Sequence, residues 1–324
     1  MSKDDTVNIY GAGGCGINLA SKFANFVPTA GYAAIKTIYL DVGEGNFPKE
    51  ASDDQCRTLA DEDGSGKIRS QNASVIAERI PDVLNTHIPA SFNIIIFSTG
   101  GGSGSVIGPL LAREFSRKDA PYVIIAIGDN ESHTSAKNTY KTYMTLESIS
   151  QSTNLPISMS WHKNSAETPR TVVDKNVHDE ILKISKLASG QNRDLDSRDL
   201  ANWVYYTRPN PELIPQLSLL TITTDASAVA QINNPLSVAH LLKGENSLPK
   251  DFSPQYSCPG YLPDDDDSAD SEILYVISVE EIEDISRSIL NDFEKFEELT
   301  KVRSKLNPTL IKETDKATED GLVL

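Results

Sequence analysis

Two glycine-rich loops and one acidic loop hold the residues whose types and spacing could do chemistry. Gly11-Ala12-Gly13-Gly14-Cys15-Gly16 opens a helical pattern through Ile17, Leu19, Ala20 and Phe23. Backbone N–H groups at a helix start carry partial positive charge, so a loop there suits an anion. The same residues fit GxGxxG, and Asp41 ends the next apolar run. That is the fingerprint of a dinucleotide-binding sheet, in which an acidic residue contacts the ribose; a tight turn without a ligand fits it too.

The second loop, Thr99-Gly100-Gly101-Gly102-Ser103-Gly104-Ser105, lies between a buried apolar run and the helix-period set Val106, Ile107, Leu110, Leu111 and Phe115. A chain this rich in glycine loses much conformational entropy on folding, and usually marks backbone that must approach something closely. Phosphate fits that need: loop N–H groups, the following helix dipole and the Ser103 and Ser105 hydroxyls would converge on it. Pro109 is tolerated in the first turns of that helix, where N–H groups lack intrahelical partners. Asp63-Gly64-Ser65-Gly66-Lys67 looks like a Walker loop, but Asp61 and Ile68 break the pattern and no apolar strand precedes it.

The acidic loop is Asn192-Arg193-Asp194-Leu195-Asp196-Ser197-Arg198-Asp199-Leu200. Carboxylates at Asp196 and Asp199 can polarise or deprotonate a water and help place a cation, as a general base does. A helix N-cap followed by a solvated turn explains the same spacing.

The elements that must carry these loops read as a parallel sheet wrapped by helices. The candidate strands are Thr6–Tyr10, Thr37–Leu40, Asn93–Phe97, Tyr122–Ala126 and Ile157–Met159, mostly apolar throughout and so buried on both faces. Val173, Val177, Ile181, Ile184 and Leu187 predict a helix over about 170–190 with Gly190 near its stop. Leu217–Ile222 and Ile273–Ile277 read as strands of a second unit, separated by a Pro-, Asn- and Ser-rich stretch that ends in the acidic run Asp264–Asp267. The last helix has an apolar stripe of Ile282, Ile285, Ile289, Phe293, Phe296 and Leu299. Glu280, Glu281, Glu283 and Asp284 stand at its start and Lys301, Arg303 and Lys305 at its end, complementing the helix dipole; Pro308 terminates it.

The chain has 324 residues, enough for two domains, and 30 Lys+Arg against 46 Asp+Glu, a net charge of −16. That balance argues against nucleic-acid and anionic-membrane surfaces, although a cationic patch can hide inside an acidic total. No apolar run reaches the roughly 18 residues of a membrane span and the N-terminus lacks a signal-peptide pattern, so a cytoplasmic protein is expected. Cys15, Cys56 and Cys258 are odd in number and have no CxxC or neighbouring His, which suggests reduced thiols and neither disulfide nor zinc site.

GGGSGS followed by Val-Ile-Gly-Pro resembles the GGGTGTG signature loop of the tubulin/FtsZ superfamily, and its pairing with the first glycine loop is similar to that family's nucleotide site. The resemblance is closest to phage-encoded tubulins: the chain is short, and one long amphipathic helix precedes a short tail ending in apolar residues. It implies an α/β fold with a Rossmann-like parallel-sheet GTPase domain and central helix (1–190), a smaller α+β second domain (191–306) and an extended C-terminal tail (307–324). GTP or GDP with Mg²⁺ would be the ligand. Gly13, Gly14, Cys15, Gly16, Asn18 and Asp41 would serve the nucleotide from the first half-site, and Gly100, Gly101, Gly102, Ser103, Gly104 and Ser105 from the second. Gly64 would lie in a γ-phosphate-sensing loop, Glu131 or Asn138 would reach the ribose, and Asn164 and Asn176 would read the guanine edge with amides that donate and accept.

Residues 192–200 are similar to the family's NxDxxD loop, with Asp194 where Asn is common. The resemblance implies that Asp196 and Asp199 act on the nucleotide of the next subunit in a head-to-tail homopolymer that positions phage DNA or its compartment. It also implies that the tail docks on a neighbouring subunit, the acidic patches being able to receive a partner's Lys312 and Lys316. An NAD-dependent oxidoreductase would leave the second glycine loop unexplained, and a non-hydrolysing assembly protein would use Asp196 and Asp199 only as turn residues. With so few apolar groups, residues 308–324 add little to a core. Deleting them should preserve folding and GTP binding but raise the protein concentration at which light scattering reports assembly; loss of the folded monomer would contradict this.

Overall fold

Ile94, Ile95, Ile96 and Phe97 are consecutive and fully buried, and a strand apolar on both faces needs a layer over each. The computed structural model describes residues 5–229, 231–232, 234–243, 252–263 and 272–304. Its first half runs β1 Thr6–Ala12, α1 Gly13–Ala20, β2 Ala34–Asp41, β3 Cys56–Thr58, α2 Ala73–Thr86, β4 Phe92–Ser98, α3 Gly104–Arg117, β5 Tyr122–Gly128, α4 His133–Thr153, β6 Ile157–Lys163 and α5 Arg170–Leu187. The second half adds α6 Ser197–Val204, β7 Leu217–Thr223, α7 Ala226–Val229, β8 Pro235–Leu242, β9 Tyr256–Tyr261, β10 Glu272–Ser278 and α8 Ile282–Arg303. The run Asp264–Asp267, Lys305, Pro308 and the tail with Lys312 and Lys316 lie outside the described residues.

The strands form one sheet in the order β3-β2-β1-β4-β5-β6-β7-β10-β8-β9. Pairing is parallel from β3 through β7, antiparallel on both sides of β10, and parallel again between β8 and β9. The fold is thus mixed α/β with a central sheet and covering helices. Strand order reverses between β1 and β4, and both glycine loops leave the carboxyl ends of those two strands, where sheets of this kind open a crevice. β7 and β10, the strands expected in a second unit, continue the same sheet through a short seam in which Ile157–Met159 pairs with Leu217–Leu219.

Strands β8 and β9 and helix α4 carry weaker sequence signals. β8 is buried along its whole length but begins with Pro235, and β9 contains Pro259 and Gly260, residues that read as a turn. Proline is tolerated in β9 because it is the last strand of the sheet and one side needs no ladder bond. α4 spans 21 residues, yet its buried side includes Ser135, Asn138, Thr139, Thr142 and Ser150, so no apolar period betrays it. The α8 stripe is only half-buried: Ile289 is buried, whereas Leu299 is 39% exposed. α8 packs on α4 through a stack of Phe293 on Tyr140 with centroids 4.7 Å apart. Among the described residues no helix is long and apolar enough to cross a membrane.

Trp203 of α6 ties the halves together. It is fully buried, stacks on Phe92 of β4 at 5.9 Å and donates its indole N–H to the Tyr275 carbonyl of β10 at 3.1 Å. Trp203→Ala should lower unfolding stability by about 3–5 kcal/mol, the range for removing a large buried aromatic. Urea denaturation measures it, and a loss below about 1 kcal/mol would show that the site is not a packed junction.

Candidate functional site

β1 runs straight into α1, and the turn between them is possible because Gly13 adopts φ +67°, a conformation that L side chains rarely take. A Cβ on Gly13 would lie 2.7 Å from the Gly104 nitrogen, and one on Gly104 would lie 2.7 Å from the Ala12 carbonyl oxygen. The two glycine loops therefore pack back to back at the switch point, with no room for a side chain between them. Beside them opens a cavity of about 1060 Å³.

Five predicted residues line it: Gly14, Cys15, Asn18, Glu131 and Asn164. Asn164 Oδ1 is buried without a hydrogen-bond partner, an arrangement that costs free energy unless a ligand or water supplies a donor. Glu131 is exposed at the rim, and its N–H donates to Asp129 Oδ1 at 2.9 Å. Burial pushes the Cys15 thiol up to about 11, so it stands protonated at neutral pH and offers a neutral wall. Ser98, at the root of the second loop, also lines the cavity. Ser103 caps α3 without a side-chain bond, and Gly101, Gly102 and Ser103 are half-exposed.

Other predicted residues build the frame instead. Ser105 is fully buried and its hydroxyl donates to the Gly101 and Gly102 carbonyls at 2.7 and 3.0 Å, so it braces the loop and does not converge on a ligand as expected. Asn138 likewise does not line the cavity: its amide donates to the carbonyls of Lys67, Gly101 and Gly100 at 2.9, 3.1 and 3.2 Å. That amide clamps the second glycine loop to the 61–71 turn. Gly64 lies on the exposed side of this turn, while Ser65 and Lys67 press against Gly102. Gly16 is buried against the Ile96 carbonyl, and Gly100 is buried beside Asp129.

Asp41 departs from the ribose role too. Its carboxylate accepts from Val42 N–H at 2.8 Å and from the Asn46 amide at 2.7 Å, so it aims Asn46 at the cavity. That removes the feature on which an NAD site rested. Asn176 does not join Asn164: it is exposed in a separate groove between α5 and the β6–β7 seam. Sequence reading missed Asn46, Asp129, Asn130 and Arg170, all in the cavity wall. It also missed Asp292 of α8, whose Oδ2 accepts from Asn130 at 2.7 Å and from Lys163 at 2.8 Å. Only the DN pair after β5 and the Arg opening α5 were available as signals, and neither has a distinctive spacing.

Asp196 and Asp199 stand away from this cavity at the start of α6. They form a capping box: Asp196 Oδ1 accepts from the Arg198 and Asp199 N–H groups at 2.7 and 2.9 Å, and Asp199 Oδ2 accepts from Asp196 N–H at 3.0 Å. Tyr256 donates to Asp199 Oδ1 at 3.3 Å, its phenol raised above the usual range by burial and so a donor at any ordinary pH. Asp194 sits at φ +62°, left-handed backbone that Asp and Asn adopt more readily than most residues. Among the described residues no group of three or more His, Cys, Asp or Glu is placed to hold a metal.

Gly104→Val tests the loop packing. The branched side chain would drive the loops apart at the Ala12 carbonyl, so labelled nucleotide should no longer bind to the folded variant. Unchanged affinity would contradict the assignment.

Comparison with known proteins agrees with this geometry. The C-terminal domain family described as phage tubulin-like protein matches residues 195–280. The phage tubulin-like protein of Pseudomonas phage 201phi2-1 is 30% identical over 265 residues, covering 81% of this chain and 83% of that protein. That of Pseudomonas phage phiKZ is 26% identical, covering all of this chain and 99% of its own length. The GDP-bound phage tubulin PhuZ superposes with a TM-score of 0.87 at 27% identity, covering 98% of this chain and 99% of that one. A protofilament of TubZ from bacteriophage PhiKZ gives 0.87 at 25% identity, covering 99% of this chain and all of that one. The chain belongs to the phage tubulin-like proteins, a branch of the tubulin/FtsZ superfamily.

Proposed function

We propose that the cavity beside the two glycine loops binds a guanine nucleotide and that successive copies of the chain complete one another's hydrolytic site. The protein is a GTP-dependent, GTP-hydrolysing cytoskeletal element of phage infection that assembles lengthwise into homopolymers. The observation that carries the reading is the back-to-back packing of Gly13 and Gly104 at the strand-order reversal, next to a cavity whose wall holds the unpartnered Asn164 Oδ1. The strand order 3-2-1-4-5-6 over the first six strands supports a Rossmann-like description of residues 1–190. Residues 191–306 then form the second domain and 307–324 the tail.

The phosphates would lie over Gly14–Gly16 and Gly101–Ser103, where loop N–H groups and two helix starts offer positive potential. The base would lie toward Asn164, whose orphaned Oδ1 can accept from guanine, and Glu131 would meet the ribose. Mg²⁺ would enter on phosphate oxygens and water, as it commonly does, and would offset phosphate charge.

The hydrolytic carboxylates cannot serve their own cavity, because they stand at α6. In a head-to-tail polymer they would face the next copy's nucleotide. Asp196 is the exposed member, suited to orient or deprotonate water, and Asp199 holds it through the capping box. Capping and catalysis separate in one substitution: Asn caps as well as Asp but is no base. Asp196→Asn should keep its thermal stability and GTP binding while turnover falls on the order of 10²-fold or more. Normal turnover would leave Asp196 a cap alone. Right-angle light scattering with GTP, ATP or NAD tests the whole reading: a rise with GTP only, above a threshold protein concentration, is expected, and a response to NAD would overturn it.

A further inference from the structure

A docked helix should not carry a charge in its apolar stripe unless the charge is answered, because taking a carboxylate out of water is costly. α8 packs through Ile282, Ile285, Ile289, Phe293 and Phe296, and Asp292 stands within that stripe, one turn after Ile289 and one turn before Phe296. A helical period would place an apolar residue there, in phase with Ile285 and Leu299. The charge is answered twice at one atom: Oδ2 accepts from the Asn130 amide at 2.7 Å and from the Lys163 ammonium at 2.8 Å.

Those two donors stand at the carboxyl ends of neighbouring strands. β5 ends at Gly128 and β6 at Lys163, residues that pair in register, and the Asn164 N–H reaches back to the Gly128 carbonyl at 3.4 Å. Asn130 lines the cavity between Asp129 and Glu131. Lys163 immediately precedes Asn164, whose Oδ1 faces no partner. One carboxylate oxygen on the last helix thus ties together the two loops that form the wall toward which base and ribose would lie. α8 also holds α4: His133 Nε2 lies 2.7 Å from Glu297 Oε1, Tyr140 stacks on Phe293, and Ser286 donates to the Tyr143 hydroxyl at 2.8 Å. Asn138 of the same α4 holds the second glycine loop.

The Asp292 and Lys163 side chains are 28% and 32% exposed, so solvent screens the pair and its contribution to folding stability is small. Its worth lies in placement, since a polar group discriminates between ligands only when it is held in position. We infer that Asp292 is a positioning residue for base recognition, keeping Asn164 where its Oδ1 can accept from the 2-amino group of guanine, and that nucleotide binding and the docking of α8 are coupled through it. The role rests on a guanine nucleotide filling the cavity. Such coupling is reciprocal: what docked α8 adds to nucleotide affinity, bound nucleotide adds to the docking of α8.

Inosine triphosphate lacks the 2-amino group, so the ratio of GTP to ITP affinity reads the Asn164 contact. The unaltered chain should prefer GTP by roughly tenfold, the worth of about one well-held hydrogen bond. Asp292→Ala should reduce the ratio to about threefold or less, and Asp292→Asn, which keeps an acceptor oxygen for both donors, should restore most of it. A general loosening of the fold would instead lower both affinities and leave the ratio. Equal affinities in the unaltered chain, an unchanged ratio in Asp292→Ala, or an Asn variant no better than Ala would overturn the positioning role. Hydrogen exchange of the unaltered chain with GDP, below the concentration of assembly, tests the coupling without a substitution. Protection should rise at both glycine loops, at 128–131 and 163–165, and along 286–296 of α8. Protected loops with an unaffected α8 would overturn the coupling alone, whereas no protection at either would overturn the nucleotide reading and this role with it.

Discussion

The molecule depends on the contact between Gly13 and Gly104. Two parallel strands that adjoin in the sheet each end in a glycine loop, and the loops are pressed together so closely that a Cβ on either would strike the other's backbone. Only glycine allows two helix starts to open into the same crevice at that separation, and two helix starts side by side give a stronger positive end than one. From this constraint follow the place of the cavity, the strand order that creates the crevice, and the need for a rigid support behind the loops.

α4 is that support. Its buried side is polar because it must satisfy the carbonyls that the glycine loop leaves unpaired: Asn138 reaches two of them, Gly100 and Gly101, along with the Lys67 carbonyl, and Thr142 reaches the Thr99 carbonyl at 3.1 Å. Thr142 Oγ1 also lies 3.5 Å from the Ser105 carbonyl, the acceptor that Pro109 cannot serve for want of an N–H. Buried polar networks are favourable only when complete, so these side chains fix the loop in one conformation. α8 extends the support: Asp292 ties Asn130 and Lys163, one beside each of two cavity walls, to the last helix. The C-terminal helix is thereby tied mechanically to the cavity wall.

Legibility in the sequence followed from how each element is stabilised. The central strands and α5 owe their stability to apolar burial, which leaves a period in the residues, and they were readable. The glycine loops were readable because close backbone approach demands a residue type. α4 was hidden, since hydrogen bonds to loop carbonyls leave no period, and β9 was hidden because an edge strand accepts Pro259. Ser105, Asn138 and Asp41 have the right chemistry for a ligand, but local carbonyls and N–H groups claim their polar atoms, and no spacing rule shows which way a side chain turns. Asn46, Arg170 and Asp292 reach the site from separate parts of the chain, so only the fold brings them together.

Asp196 and Asp199 close a capping box at the start of α6 that leaves Asp196 exposed, braced by Asp199, outside the chain's own cavity. The central claim is that the site belongs to two chains. It is tested most directly by mixing a chain that cannot bind nucleotide, Gly104→Val, with one that cannot hydrolyse it, Asp196→Asn, and measuring GTP turnover. The intact carboxylates of the first can then meet the nucleotide held by the second, and turnover of the mixture should exceed the sum of the two alone. A mixture no faster than that sum would contradict a site shared between subunits.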